Sequence, residues 1–216
     1  HTSGLAYGEI TKNEKVKDAL TKAGIVTPGV DYDSRNMTGP EEVERLAGVP
    51  LVNQPGTLWE YSLAVDVQGR VIEAVTGKRA GDFLAERIFK PLGMKDTCVT
   101  LTAEQTRRHA PPYMQTLKVK PWHATALAGS GALHSTAADL LRFAAALDQP
   151  AATTLKEAIA LIEQPQGTDR FGLCLLVSMT PGKTTYWYQG GTGGYGSWIS
   201  ADPATHEKVV VLINNS

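Results

Sequence analysis

The chain has no long apolar run, no block of like charge and almost no cysteine. Its 216 residues carry 21 basic and 22 acidic side chains, a formal net charge of −1, spread along the length. Without a basic stripe there is no electrostatic footprint for nucleic acid or an anionic membrane. No apolar stretch approaches the length of a membrane span. The two cysteines, Cys98 and Cys174, stand too far apart in sequence to indicate a redox compartment. Cys174 falls in an apolar run over residues 171–177 and reads as a small buried side chain. The five histidines, at 1, 109, 123, 134 and 206, show no paired ligand spacing, so neither a metal nor any other cofactor is expected. There is no repeat, low-complexity tract or interdomain linker. Apolar residues make up 42% of the chain, enough for a core.

The period of the apolar residues divides the chain. Residues 13–23, 40–47, 63–76, 82–89, 136–147 and 151–163 read as helices. Their signals are Gly24, Gly48 and Gly77 as stops, Pro40 in a first turn, and Thr136-x-x-Asp139 as a capping-box-like start. Residues 171–177, 184–189, 195–201 and 207–213 read as short strands separated by Thr180-Pro181-Gly182-Lys183, a glycine run and Asp202-Pro203. A mainly helical region over 1–165 followed by an antiparallel meander over 166–216 predicts an α+β fold, with helices packed on one sheet.

Glycine is concentrated at Gly190-Gly191-Thr192-Gly193-Gly194-Tyr195-Gly196, between two strand candidates. Residues 191–196 match GxGxxG, but that motif binds a dinucleotide only where it leaves a strand and opens a helix. Here it leads into another strand, so the reading becomes a sheet edge that offers backbone N–H groups to a substrate. Gly182-Lys183-Thr184 lacks the upstream glycine of a phosphate loop, since Val177 stands there, and reads as a turn. Ser130, His134 and Asp139 have no Gly-x-Ser-x-Gly elbow to support a triad. Trp122 and Trp187 read as core. The pair Tyr61-Ser62, taken alone, is a half-buried tyrosine followed by a helix N-cap.

Five segments in order carry more: His1-Thr2-Ser3-Gly4-Leu5, Pro55-Gly56-x-x-Trp59-x-Tyr61-Ser62, Lys90-Pro91-Leu92-Gly93-Met94, Gly131-Ala132-Leu133-His134-Ser135-Thr136-Ala137-Ala138-Asp139 and Gly190-Gly191-Thr192-Gly193-Gly194-Tyr195-Gly196-Ser197. This set resembles the serine β-lactamase and penicillin-binding-protein superfamily over nearly the whole chain, nearest to class C β-lactamases and family VIII carboxylesterases. The resemblance implies a β-lactamase/DD-peptidase-like fold and an acyl-serine mechanism. In it Tyr61 is the catalytic tyrosine and Tyr188-Gln189-Gly190 stands where Lys-Thr-Gly belongs. Gly191 supplies an oxyanion N–H, and Leu63, Leu5 and Tyr7 lie near the substrate.

Three departures shape the expected activity. No serine in the chain is followed three residues later by lysine, and the family places that motif before the His-Thr-Ser-Gly-Leu segment. The opening on His1 and the close after a strand suggest part of a longer protein, whose missing N-terminal segment is an expected partner. Leu63 replaces the asparagine of Tyr-x-Asn, which disfavours lactam and peptide substrates relative to simple esters. Tyr188 replaces a lysine, removing a cation near the catalytic phenol. A tyrosine ordinarily ionises near pH 10, so forming phenolate at neutral pH takes roughly 4 kcal/mol of local stabilisation. An alkaline activity optimum is expected. The reading is therefore a hydrolase of short-chain carboxylic esters. Its rivals are a β-lactamase or D-amino-acid peptidase, an acyltransferase, and a non-catalytic binding protein of the same fold.

Overall fold

Caps decide where the first helices begin and end. In the computed structural model, which describes residues 1–26, 37–119, 130–164, 172–173, 175–180 and 183–215, α1 spans Glu14–Lys22. The Asn13 side-chain oxygen accepts the Val16 N–H at 3.3 Å, satisfying one of the amides that a helix start leaves open. Helix α2, Gly39–Leu46, starts from Thr38 with Pro40 in its first turn. Helix α3, Ala64–Thr76, stops where Gly77 turns left-handed at φ 66°. Val16 and Leu20 of α1 and Leu46 of α2 close on Tyr7, Ile25, Met37 and Leu63 to make one core.

Helix α4, Ala80–Leu84, runs into a π-helical turn over Ala85–Phe89. Then come α5, Ala103–Arg108, and a two-residue hairpin of β1, Tyr113–Met114, with β2, Leu117–Lys118. Helix α6, Ala137–Asp148, starts with Thr136 Oγ1 accepting the Asp139 N–H at 3.2 Å. The expected helix over 151–163 is shorter. Pro150–Ala152 forms a 3₁₀ turn, and α7 covers Lys156–Ile162.

The sheet has order β3-β4-β5-β6 and is antiparallel throughout, with β3 Leu176–Thr180, β4 Lys183–Thr192, β5 Tyr195–Asp202 and β6 Glu207–Ile213. Two expectations are corrected. Strand β3 begins at Leu176, and β4 continues through Gly190 and Gly191 because the ladder to β5 extends to Thr192↔Tyr195. Register sets the faces. Tyr186, Tyr188 and Ala201 lie on the face packed by Ala146, Leu147 and Ile159 of the helices. Trp187 and Trp198 stack at 4.6 Å on the opposite face. There Val209, Val211 and Ile213 of β6 are about half exposed. Cys174, Trp122, His123 and the Pro181-Gly182 turn lie outside the described residues.

By packing, the described residues divide into one unit within 1–83 with 130–132, and another within 84–119 with 133–215. In the second, Asp148 at the end of α6 is tied to the sheet. Lys208 Nζ lies 2.7 Å from Asp148 Oδ2, and His206 Nδ1 lies 2.8 Å from Oδ1. The Lys208 hydrogen bond, helped by His206 and opposed by burial, holds the Asp148 carboxyl below its usual range. A folded-state value below the unfolded one means the stabilisation is complete above about pH 4 and is lost as pH falls through the folded value. Lys208→Met is expected to lower stability at pH 7 by about 1–3 kcal/mol, with the quarter-exposed ammonium setting the low end. Urea melts should converge with wild type as pH drops toward 2; a constant difference over pH 2–7 would place the loss in packing instead.

Candidate active site

The first unit gathers its candidate residues by laying residues 1–4 along residues 52–60. Val52 N–H donates to Gly4 O at 2.9 Å, Gly56 N–H to Thr2 O at 2.7 Å and Glu60 N–H to His1 O at 2.8 Å. Gly4 is required in this arrangement. Its φ is +80°, and a Cβ there would lie 2.2 Å from Asn53 O. The result brings His1 beside Tyr61 across 60 residues of sequence. Ring centroids stand 4.8 Å apart for His1 and Tyr61, 5.0 Å for Tyr7 and Tyr61, and 5.4 Å for His1 and Trp59. Trp59 stacks on Tyr61 at 6.3 Å. Tyr61 remains 39% exposed amid these rings.

His1 is held from below. Its Nδ1 accepts the Ser62 N–H at 3.2 Å and lies 3.4 Å from Ser62 Oγ. An accepting Nδ1 puts the proton of the neutral ring on Nε2. Ser62 is therefore not the N-cap expected from its place before the helix; Leu63 takes that position, without a side-chain cap. Leu63, at the N-cap of α3, is fully buried in the core with Tyr7, Leu20 and Ile25. Leu63→Asn is accordingly expected to destabilise the protein by about 2–4 kcal/mol, through lost packing and a stranded amide. A thermal melt unchanged from wild type would contradict that burial. Tyr7 is buried but meets Tyr61 with the two rings tilted at 45°. Leu5 is half-buried, with its N–H on Ser3 Oγ at 3.2 Å.

In the second unit the ladder fixes where the backbone of the glycine run points. Thr192↔Tyr195 closes a two-residue turn, so it is a hydrogen-bonded pair. Pairs alternate from there. Gly190↔Ser197 is then bonded to β5, while the N–H and C=O of Gly191 and of Gln189 turn to the other side. Strand β3 pairs with β4 only as far as Trp187. Past that point the side of β4 facing away from β5 is an open edge among the described residues, and both Gln189 and Gly191 are exposed. Tyr188 is half-buried and packs against the second core.

The hairpin tip is clamped. Gly194 has φ +86°, and a Cβ on it would come 2.6 Å from Pro112 Cβ and 2.9 Å from Tyr113 N. Tyr195 Oη donates to Ala110 O at 2.7 Å and lies 3.3 Å from His109 Nδ1. Burial pushes the Tyr195 phenol upward, which keeps it a donor. His109 Nε2 in turn lies 3.2 Å from His134 Nδ1, a juxtaposition that sequence spacing did not reveal. Asp139 is buried and accepts from Asp96 N–H at 2.7 Å, Thr97 Oγ1 at 2.9 Å and Arg142 at 2.8 Å, so it locks a loop to α6 in addition to starting that helix. Burial, then the Asp96 charge, raises the Cys98 thiol, which stays protonated and unreactive. Among the described residues no three or more His, Cys, Asp or Glu side chains converge as metal ligands.

The model of the family described as Beta-lactamase matches residues 1–216. The chain is 39% identical to esterase EstB of Burkholderia gladioli over 113 residues, which are 52% of this chain and 27% of that protein. It is 34% identical over 105 residues to the D-alanyl-D-alanine-carboxypeptidase/endopeptidase AmpH of Escherichia coli K12, 45% of this chain and 25% of that one. The octameric penicillin-binding protein homologue from Pyrococcus abyssi superposes over the whole chain and 50% of its own, with TM-score 0.77 and 22% identity, a likeness of fold. The chain spans half or less of the length of these three proteins.

Proposed function

The chain belongs to the Beta-lactamase family, and from that premise we propose that it is the tyrosine- and oxyanion-bearing part of a serine hydrolase of short-chain carboxylic esters. The observation that carries this reading is the β4 edge, where an exposed Gly191 turns its N–H away from the sheet. Such a donor is what a developing acyl oxyanion needs. The nucleophile is a serine elsewhere in the full-length protein, since no Ser-x-x-Lys occurs in these residues. Its Oγ attacks the ester carbonyl, and its proton passes by way of Tyr61 Oη to the leaving alcohol. An acyl-serine remains, and water then cleaves it by the reverse proton path. Within the sheet, Gly190 and Gly191 line the acyl group, with Gln189 beside them. The half-exposed apolar face of β6 suits cover by the missing segment of the same protein.

The esterase assignment draws on the stretch shared with EstB. A peptidase reading draws on the stretch shared with AmpH. The two are separated by turnover. The full-length protein is expected to hydrolyse p-nitrophenyl butyrate well and a chromogenic cephalosporin or a D-alanyl peptide poorly, and to be labelled by a fluorophosphonate. Preferred turnover of the peptide would move the assignment to the peptidase branch. No labelling and no turnover of any of them would leave a binding protein.

A further inference from the structure

We propose that His1 is the positioning residue for Tyr61, holding the main chain on both sides of the phenol so that its oxygen stays aimed at the reacting ester. The inference deepens the hydrolase reading and rests on it. Every contact it uses lies within the first unit.

His1 receives the amide hydrogens that flank Tyr61. Its carbonyl accepts the Glu60 N–H at 2.8 Å, and its Nδ1 accepts the Ser62 N–H at 3.2 Å. The imidazole also lies against the phenol ring, with centroids 4.8 Å apart and planes tilted by 58°. One residue thus meets the chain before the tyrosine, the chain after it and the ring itself. The grip continues into α3, because Ser62 Oγ lies 3.4 Å from His1 Nδ1 and accepts the Ala64 N–H at 3.4 Å.

The Nδ1 bond supplies what local structure does not. Ser62 stands before the N-cap Leu63, so no carbonyl of α3 is placed to take its N–H. Ser62 is also fully buried, so water does not take it either. A buried donor without an acceptor is costly, and His1 Nδ1 removes that cost only while residue 62 keeps its place. Tyr61 is 39% exposed, so packing encloses only part of its ring. Proton transfer demands accurate placement, a shift of about 1 Å costing on the order of 10²-fold in rate. In this role His1 touches no reacting atom. It acts through Tyr61.

The test is kinetic and uses the full-length protein with p-nitrophenyl butyrate. His1→Ala is expected to lower kcat by ~10–100-fold and to change KM by less than about 3-fold. His1→Asn should recover most of that loss, because its Oδ1 stands as far along the side chain as Nδ1 and accepts the same N–H. His1→Phe keeps a ring against Tyr61 but offers no acceptor, and should fall with the alanine variant. The sharpest measurement is His1→Ala in the Tyr61→Phe background, where it should cost less than about 3-fold, since no phenol remains to be placed. A full second loss there overturns the assignment, as does a His1→Ala or His1→Phe variant at the wild-type rate; each leaves the hydrolase reading standing. A wild-type protein that neither turns over the ester nor takes a fluorophosphonate overturns both. If His1→Ala fails to fold, the other two variants decide. A rate kept by asparagine and lost by phenylalanine supports the positioning, and equal rates or the reverse order refute it.

Discussion

Gly191→Pro in the full-length protein is expected, on the proposed function, to lower kcat for p-nitrophenyl butyrate by ~10²–10³-fold, with little change in KM. Proline removes one atom that matters at this position, the amide hydrogen. Elsewhere in a sheet that loss would also break a ladder bond, but the alternation from Thr192↔Tyr195 aims the Gly191 N–H away from β5. Proline is tolerated where a strand N–H faces an open edge. The companion Gly191→Ala separates the amide from the side chain. Its Cβ would meet Tyr195 O at 3.6 Å, an ordinary contact, so alanine should keep the fold and most of the rate. Near-wild-type kcat in a folded proline variant would remove Gly191 from the oxyanion site. An equal loss in both variants would point to crowding at the edge.

What was legible in the sequence follows from the range of the forces involved. Helices α1, α3 and α6 were readable because Gly24, Gly77 and Thr136 act within four residues of themselves. Helix α5 was not, because five of its six residues are polar and none of the six is buried, leaving no apolar period to detect. The Thr102–Gln105 capping box was the available signal. Strand β4 outran its β-branched stretch into Gly190 and Gly191 because the partner strand, not local preference, sets where a ladder ends. Of the candidate site, the motif order pointed to Tyr61 and Gly191. The burial of Leu63 and the packing of Tyr188 into a core did not show in it, because both depend on which way an element turns once it has neighbours. The contacts His1–Tyr61 and His109–His134 join residues far apart in the chain and required the fold itself.

Tyr61→Phe carries the other large expected effect, a fall in kcat of ~10²–10⁴-fold for the ester, the range associated with losing a positioned proton carrier. The substitution is unusually clean here. The ring of Tyr61 is held by His1 at 4.8 Å, Tyr7 at 5.0 Å and Trp59 at 6.3 Å, and phenylalanine keeps all three contacts. Melting temperature and KM should therefore stay near wild type, so a rate loss cannot be ascribed to a collapsed cluster. Fluorophosphonate labelling should slow in parallel, since the same proton transfer activates the serine. If Tyr61→Phe turned over the ester and took the fluorophosphonate label at the wild-type rate, the proton would have to travel by another group. The aromatic cluster around residue 61 would then be packing and nothing more.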